Sequence, residues 1–202
     1  MKRILFDVGA NNGSTSVQWA NDKNNIVYAF EPTPEMYLQI ESRTNGVDNY
    51  ILTKKAVSDY NGVATFNVAG NADWGCSSLL KFSDKSQTEW PGRTEFYVTK
   101  EIEVEVIRLD SFVKENNIDK IDYLHVDTQG SDLKVLQGLG EYLNIVSEGV
   151  IEAANKEDIL YYGQCTKNQC IDFLENNKFI ITQIQSNDPY SNEVNIFFKK
   201  NR

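Results

Sequence analysis

Apolar residues in this chain arrive in short blocks, and the period of the blocks changes along the sequence. Residues 4–6 and 26–30 are near-continuous apolar runs of strand length, and 50–57 reads as a third strand. Such runs fit strands buried on both faces. Between them lie helix signals. A Gly-rich turn holding Gly9, Asn11, Asn12 and Gly13 leads into a helix capped by Ser14 and running to Trp19. Pro32 and Pro34 break the chain before a helix over 36–42. Strand, helix, strand, helix, strand predicts a parallel, doubly wound sheet.

The middle of the chain has another rhythm. Residues 63–68 alternate, and 101–106 alternate strictly between charged and apolar, as antiparallel strands with one wet face do. The region of about 60–108 is therefore expected to be an inserted β-hairpin region. It encloses a long loop, 70–93, with Trp74, Cys76, Ser77, Ser78, Trp90 and Pro91; loops of that length tend to be functional. Asp110 is expected to cap a short helix. A buried strand over 121–126, a helix over 133–143, a strand over 146–151 and a helix over 158–176 follow. Residues 180–184 and 194–198, joined by an Asn-Asp-Pro loop, read as a terminal antiparallel pair. The pattern amounts to a seven-stranded α/β sheet, its last strand antiparallel, with helices on both faces.

Composition narrows the possibilities. A chain of 202 residues, 41% hydrophobic, supplies one core, so 1–202 is expected to be a single domain. Lys plus Arg is 20 and Asp plus Glu 29, a net charge of 20 − 29 = −9, which argues against a nucleic-acid partner. His125 is the single histidine, so HExxH and two-His zinc sites are excluded. Cys76, Cys165 and Cys170 form no CxxC pair and fit reduced thiols in a cytoplasmic location. On one helix, Cys165 and Cys170 would point apart. Lys2 and Arg3 mimic a leader, but Asp7 interrupts the apolar run, and no run approaches the ~18 residues of a membrane span. Membrane insertion is not expected. Oligomeric state leaves no signal.

In open α/β sheets, ligands bind beyond the carboxyl ends of the strands where strand order reverses. Those ends present Asp7, Glu31, Asp127 and Glu152. The first turn, Asp-Val-Gly-Ala-Asn-Asn-Gly, keeps Gly9 and Gly13, but Asn11 stands where the dinucleotide fingerprint has its second glycine. Asn11 crowds a pyrophosphate, which argues against an NAD-dependent oxidoreductase, yet can hydrogen-bond an amino acid's carboxylate or ammonium. Glu31 follows at about the twenty-residue spacing from which an acid takes both ribose hydroxyls. An adenosine ligand with a zwitterionic tail and no pyrophosphate is S-adenosylmethionine. No GxxxxGK[ST] occurs, so a phosphate-loop NTPase is excluded. The residues expected to hold the cofactor are Asp7, Gly9, Ala10, Asn11, Gly13, Glu31, Ala56, Val57, Ser78 and Asp127.

DVGANNG, VYAFEP, AVSD, CSSL, VEVIRLDSF, IDYLHVDTQGSDLKVLQGL and GVIEAA, in that order, resemble the motifs of FkbM-type methyltransferases over residues 3 to about 155. The most specific stretch is 127–132, similar to the family's Asp-x-Glu/Gln-Gly-x-Glu signature. The family commonly has Lys where His125 stands, and Glu where Gln129 and Asp132 stand. The resemblance implies a class I, Rossmann-like, seven-stranded fold, S-adenosylmethionine as methyl donor, and O-methylation of a carbohydrate or glycoconjugate hydroxyl. A deoxyhexose such as rhamnose in a glycan belongs to that acceptor class. A non-catalytic adenosyl-binding module is the alternative outside enzymes.

Methyl transfer to an alcohol needs alignment and removal of a proton. Asp127 ends a strand, and His125, two residues earlier, shares its face; either could be the base, with the other orienting it. Glu152 could anchor the acceptor. Trp74, Trp90, Tyr161 and Tyr162 offer flat faces for a sugar ring. The loop 70–93 would cover the acceptor, with Ser77 and Ser78 near the cofactor. No metal-binding motif occurs.

Overall fold

The computed structural model describes residues 2–70, 73–187 and 189–201. Asp188 of the expected Asn-Asp-Pro loop, and residues 71–72 of the long loop, fall outside that range. Five parallel strands build most of one sheet: β1 (Arg3–Val8), β2 (Asn25–Phe30), β3 (Tyr50–Thr53), β7 (Tyr123–Val126) and β8 (Glu148–Ala154) all run the same way. A closing hairpin of β9 (Phe179–Ser186) and β10 (Glu193–Lys200) completes it, with β10 antiparallel to both neighbours. The order is β3-β2-β1-β7-β8-β10-β9. Strand order reverses beside β1, so a crevice opens between the carboxyl ends of β1 and β7.

Strand alternation fixes which residues meet which layer. Phe6, Val8, Phe30, Leu124, Val126 and Ile151 pack on one face beneath Leu109 and Val113 of α3 (Leu109–Glu115), Val135 and Leu136 of α4 (Asp132–Gly138), and Cys170 and Leu174 of α5 (Lys167–Asn176). Leu5, Val27 and Ala29 pack on the other face against Ile40 of α1 (Pro34–Arg43), Ala20 and Trp19. Asp7 belongs to this second face and is fully buried.

A second sheet has the order β4-β6-β5. β5 (Gly62–Ala69) and β6 (Val98–Ile107), with the short helix α2 (Ser86–Glu89) between them in sequence, form the expected antiparallel pair. β4 (Ala56–Val57) joins β6 in parallel, which divides the single strand expected over 50–57. The break falls at Lys54 and Lys55, whose ammonium groups pair with Glu41 (2.7 Å) and Glu105 (2.6 Å) at the surface.

Other boundaries also move. Residues after Gly13 make one 3-10 turn, Val17–Asn21, with no side-chain cap; the Ser14 N–H is held instead by the Asn12 side chain (3.0 Å). Asp110 lies in the first turn of α3, gripped by the Arg108 guanidinium (2.6 Å), and Arg108 occupies the cap position. The helix expected over 133–143 ends at Gly138 and continues as a 3-10 turn, Gly140–Ile145. That expected over 158–176 begins only at Lys167, after a capping box in which Thr166 and Gln169 serve each other's backbone. Asp158 and Gly163, both at positive φ, shape the turns before it. Cys165 therefore precedes the helix, where its thiol donates to the Glu152 carbonyl (3.8 Å) and lies beside that of Cys170 rather than pointing away. Among the described residues no helix is long and apolar enough to cross a membrane.

Candidate active site

Three backbone crossings assemble the site. The turn after β1 is tied to β2, with Gly9 and Ala10 N–H both donating to the Phe30 carbonyl (3.0 Å each). Asp127 N–H donates to the Val8 carbonyl (2.9 Å), bringing the turn after β7 against it. Gly9 has φ +84, and a Cβ there would sit 1.8 Å from the Asp127 carbonyl oxygen. Glycine is therefore required at this position by the close approach of β1 and β7, before any ligand is considered.

The crevice is an open cleft of about 490 Å³ counted out to its mouth, solvent space included. Glu31 lies at its floor, 5% exposed. One carboxylate oxygen accepts the Asn11 N–H (2.8 Å), the other the Thr33 N–H (2.7 Å). Burial pushes its carboxyl up to about 7, against the pull of those N–H groups, and the Asp7 charge adds to the rise. Val57, Phe66 and Leu79 give the cleft apolar flanks, and Trp74 closes one side.

Of the residues expected to hold a cofactor, Gly9, Asn11, Glu31, Ala56, Val57 and Asp127 line the cleft. Ala10 packs in the core beneath the turn. A Cβ on Gly13 would press on Val17, 2.7 Å away, so this glycine serves helix packing. Ser78 is buried and donates to the Gln129 carbonyl (2.7 Å), fixing that loop from behind, while Ser77 reaches the cleft.

Asp7 and His125 form their own pair. They sit opposite each other in the β1–β7 register, and His125 Nδ1 lies 2.7 Å from the buried Asp7 carboxylate. Burial lowers the proton affinity of the imidazole, but the hydrogen bond and charge of Asp7 outweigh it, and the net shift is upward. The imidazole is thus committed to Asp7, with Trp19 edge-on against its ring. The carboxylate that orients His125 is Asp7, where the sequence pointed to Asp127.

Asp127 instead meets Glu152. β8 runs past Glu152 to Ala154, and Glu152 is buried in mid-strand opposite Asn195. Burial, then the charges of Asp127, Glu193 and Asp132, hold its carboxyl well above the ordinary range. The Gln129 amide nitrogen stands 2.7 Å from Asp127 Oδ1 and 3.2 Å from Glu152 Oε2. Asn187 donates to the other Glu152 oxygen. These groups, with Asn11, Gly75, Arg93, Trp90 and Phe96, surround a second cavity of about 660 Å³ to its mouth. Asn11, Gly75, Asp127 and Gln129 line both spaces and so form the wall between them.

The aromatic residues divide. Trp90 is 2% exposed, presents an edge to the second cavity and anchors the small core with Phe96. Tyr161 is buried, its hydroxyl 2.9 Å from Gln129 Oε1 and 2.7 Å from the Cys76 carbonyl. Tyr162 accepts a hydrogen bond from Asp84 N–H at the surface (3.2 Å).

Sequence reasoning left Asp132 out of the site set. Fully buried, it accepts the N–H groups of Thr128 (2.7 Å) and Gly130 (3.0 Å) and so folds the loop that carries Asp127. Burial and the Asp127 charge bring its carboxyl up to about 7. The available signal was its place in the 127–132 signature. Asp73, Cys76 and Glu95 lie close enough together to share a cation, but the Arg93 guanidinium already occupies them (3.4 Å to Asp73, 3.8 Å to the Cys76 sulfur).

Comparison with known proteins agrees with this geometry. The family model described as "Methyltransferase FkbM domain" matches residues 7–187. The 2-O-methyltransferase NoeI of Sinorhizobium fredii is 27% identical over 176 residues, 85% of this chain and 70% of that protein. Among solved structures, the methyltransferase FkbM of Methylobacillus flagellatus superposes with TM-score 0.58 at 13% identity, over 98% of this chain and 43% of that one. Aeropyrum pernix fibrillarin, with natively bound S-adenosyl-L-methionine, gives 0.55 at 10% identity over 98% of this chain and 66% of that one. The magnesium protoporphyrin IX methyltransferase of Synechocystis, also with bound cofactor, gives 0.53 at 10% identity over 98% and 70%. The sheet is thus that of the class I methyltransferases, and its crevice fits their cofactor: a buried acid, Glu31, at the end of β2 and an apolar flank beside it. The chain belongs to the FkbM methyltransferase family and is an S-adenosylmethionine-dependent methyltransferase.

Proposed function

We propose that the protein is an O-methyltransferase whose acceptor is a sugar hydroxyl on a carbohydrate or glycoconjugate. The observation that carries this reading is the wall shared by two cavities, with Asp127 in both and Glu152 in the second. An acceptor in the second cavity faces the cofactor cleft across that wall. The bound cofactor would supply an electrophilic methyl on a sulfonium to the hydroxyl oxygen and leave as the neutral thioether, while the Asp127 carboxylate would accept the hydroxyl proton. Alignment across the wall contributes several kcal/mol, and the base ~10²- to 10⁴-fold.

Glu152 and Asn187 provide hydrogen-bonding partners for a polyol, and Phe96 and Trp90 an apolar edge for its ring. The name of the Sinorhizobium relative, a 2-O-methyltransferase, supports oxygen as the methylated atom. Of the expected cofactor residues, Glu31 is assigned to the ribose hydroxyls and Asn11 to the amino-acid tail.

The test is mass spectrometry of a neutral glycan panel, deoxyhexosides included, incubated with protein and S-adenosylmethionine. One added methyl on a sugar oxygen is expected. Asp127→Asn should lower turnover ~10²-fold or more while S-adenosylhomocysteine affinity stays within a few-fold. A panel left unmodified by protein that binds the cofactor would refute the sugar as acceptor.

A further inference from the structure

We infer that Gln129 is the positioning residue of the acceptor cavity: its amide clamps Asp127, at the wall facing the cofactor, to Glu152 inside the acceptor cavity. The inference rests on the reading of that wall as the place of methyl transfer. Gln129 is held at every polar atom the clamp needs. Its carbonyl accepts the buried Ser78 hydroxyl at 2.7 Å. Its amide nitrogen has two hydrogens, and the two carboxylates stand 2.7 and 3.2 Å away. Its amide oxygen lies 2.9 Å from the hydroxyl of Tyr161, a buried ring whose single hydroxyl proton it shares with the Cys76 carbonyl (2.7 Å). The Asp127 carboxylate attracts the donor end of an amide and repels its oxygen, so the amide orientation is set by charge as well as by Tyr161.

The backbone was bent to allow this. Gln129 has φ +56 and Gly130 φ +93. A side chain at 130 would collide with Gln164 and Tyr161 (2.9 and 3.2 Å). A non-glycine residue held in the left-handed region marks a conformation that its surroundings enforce. Here the turn throws the Gln129 side chain back between β7 and β8. Glutamine also suits the site electrostatically. Asp127, Asp132 and Glu193 are the charged groups that face Glu152, and a glutamate at 129 would add another acid where the amide now donates.

Carboxyl ¹³C NMR of the full chain saturated with S-adenosylhomocysteine tests the clamp without needing the acceptor. Signals are assigned with Asp127→Asn and Glu152→Gln. Gln129→Met keeps length and removes both donors. A donor to a carboxylate favours its charged form, so the Glu152 titration midpoint should move upward by half a pH unit or more. Tyr161→Phe, which frees the oxygen end alone, should move it the same way by less, and gives the answer by itself if Gln129→Met does not fold. With an acceptor in hand, kcat of Gln129→Met should fall at least tenfold with acceptor KM changed less. Midpoints unmoved in both folded variants would overturn the clamp and leave sugar methylation standing. Moved midpoints with no sugar methylated would uphold the clamp and overturn the acceptor instead.

Discussion

The ribose role proposed for Glu31 sets cofactor binding against stability, and Glu31→Gln separates the two. The carboxyl is held near 7 instead of 4.5, a gap of about 3 kcal/mol at about 1.4 kcal/mol per pH unit. Its sign follows from proton linkage. Between 4.5 and 7 the folded chain binds more protons at this site than the unfolded chain, so the site's contribution is fullest below 4.5 and is lost as pH climbs through 7. Glutamine is neutral throughout. Raising the pH from 4 to 8 should therefore favour the variant over the parent by about 3 kcal/mol, or about 6–12 °C in Tm for a domain this size. The variant also loses an acceptor for the Asn11 or Thr33 N–H, about 1–3 kcal/mol at every pH, so the change in the difference is the quantity to read. Differential scanning calorimetry of both proteins across that range supplies it.

Binding should run the other way. With ribose hydroxyls donating to an ionised Glu31, the parent should bind S-adenosylhomocysteine more tightly as pH passes 7. The variant should lose about 1.5–3 kcal/mol per charge-assisted bond, roughly 10- to 150-fold for one, and titration calorimetry measures it. A stability difference that ignores pH would refute the raised proton affinity. Unchanged cofactor affinity would remove Glu31 from the ribose.

His125→Ala should destabilise the fold by about 2 kcal/mol at pH 5.5, less than a fully buried ion pair would, because the imidazole is 21% exposed. Its proton affinity is raised in the folded state, so the stabilisation is complete below 6.5 and disappears as pH rises past the folded value; urea unfolding at pH 5.5 and 9 should show that loss, and equal effects at both would mean a neutral hydrogen bond. Trp74 lines the cofactor cleft, so Trp74→Ala should weaken S-adenosylhomocysteine binding by about 1–2 kcal/mol with acceptor KM little changed, and a rise in acceptor KM alone would place the ring over the other cavity.

The sequence alone determined most of the sheet's strands. Runs at 4–6 and 26–30 are too short for helices and fit strands covered on both sides, and the carboxylates at their ends point to the crevice. The Asn11 substitution in the glycine turn and the spacing to Glu31 also point to the cofactor without coordinates, because they encode contacts made along one local segment. Helix limits were less legible. The stretch 158–166 carries a helical pattern, yet Asp158 and Gly163 at positive φ bend it to bring Tyr161 under Gln129, and no local period reports that demand.

Partnership between distant residues was decided by the tertiary structure. His125 and Asp127 are near in sequence and share a strand face, which made them a natural pair. Register between β1 and β7 instead places Asp7 against His125, and a buried carboxylate takes the nearest donor. Asp127 and Glu152 meet because they follow Val126 and Ile151, which pair in the β7–β8 register, and Gln129, turned back at φ +56, bridges them. A strand's residues and their facing follow from its own sequence; who stands opposite depends on strand order and register, which arise from packing the whole sheet at once.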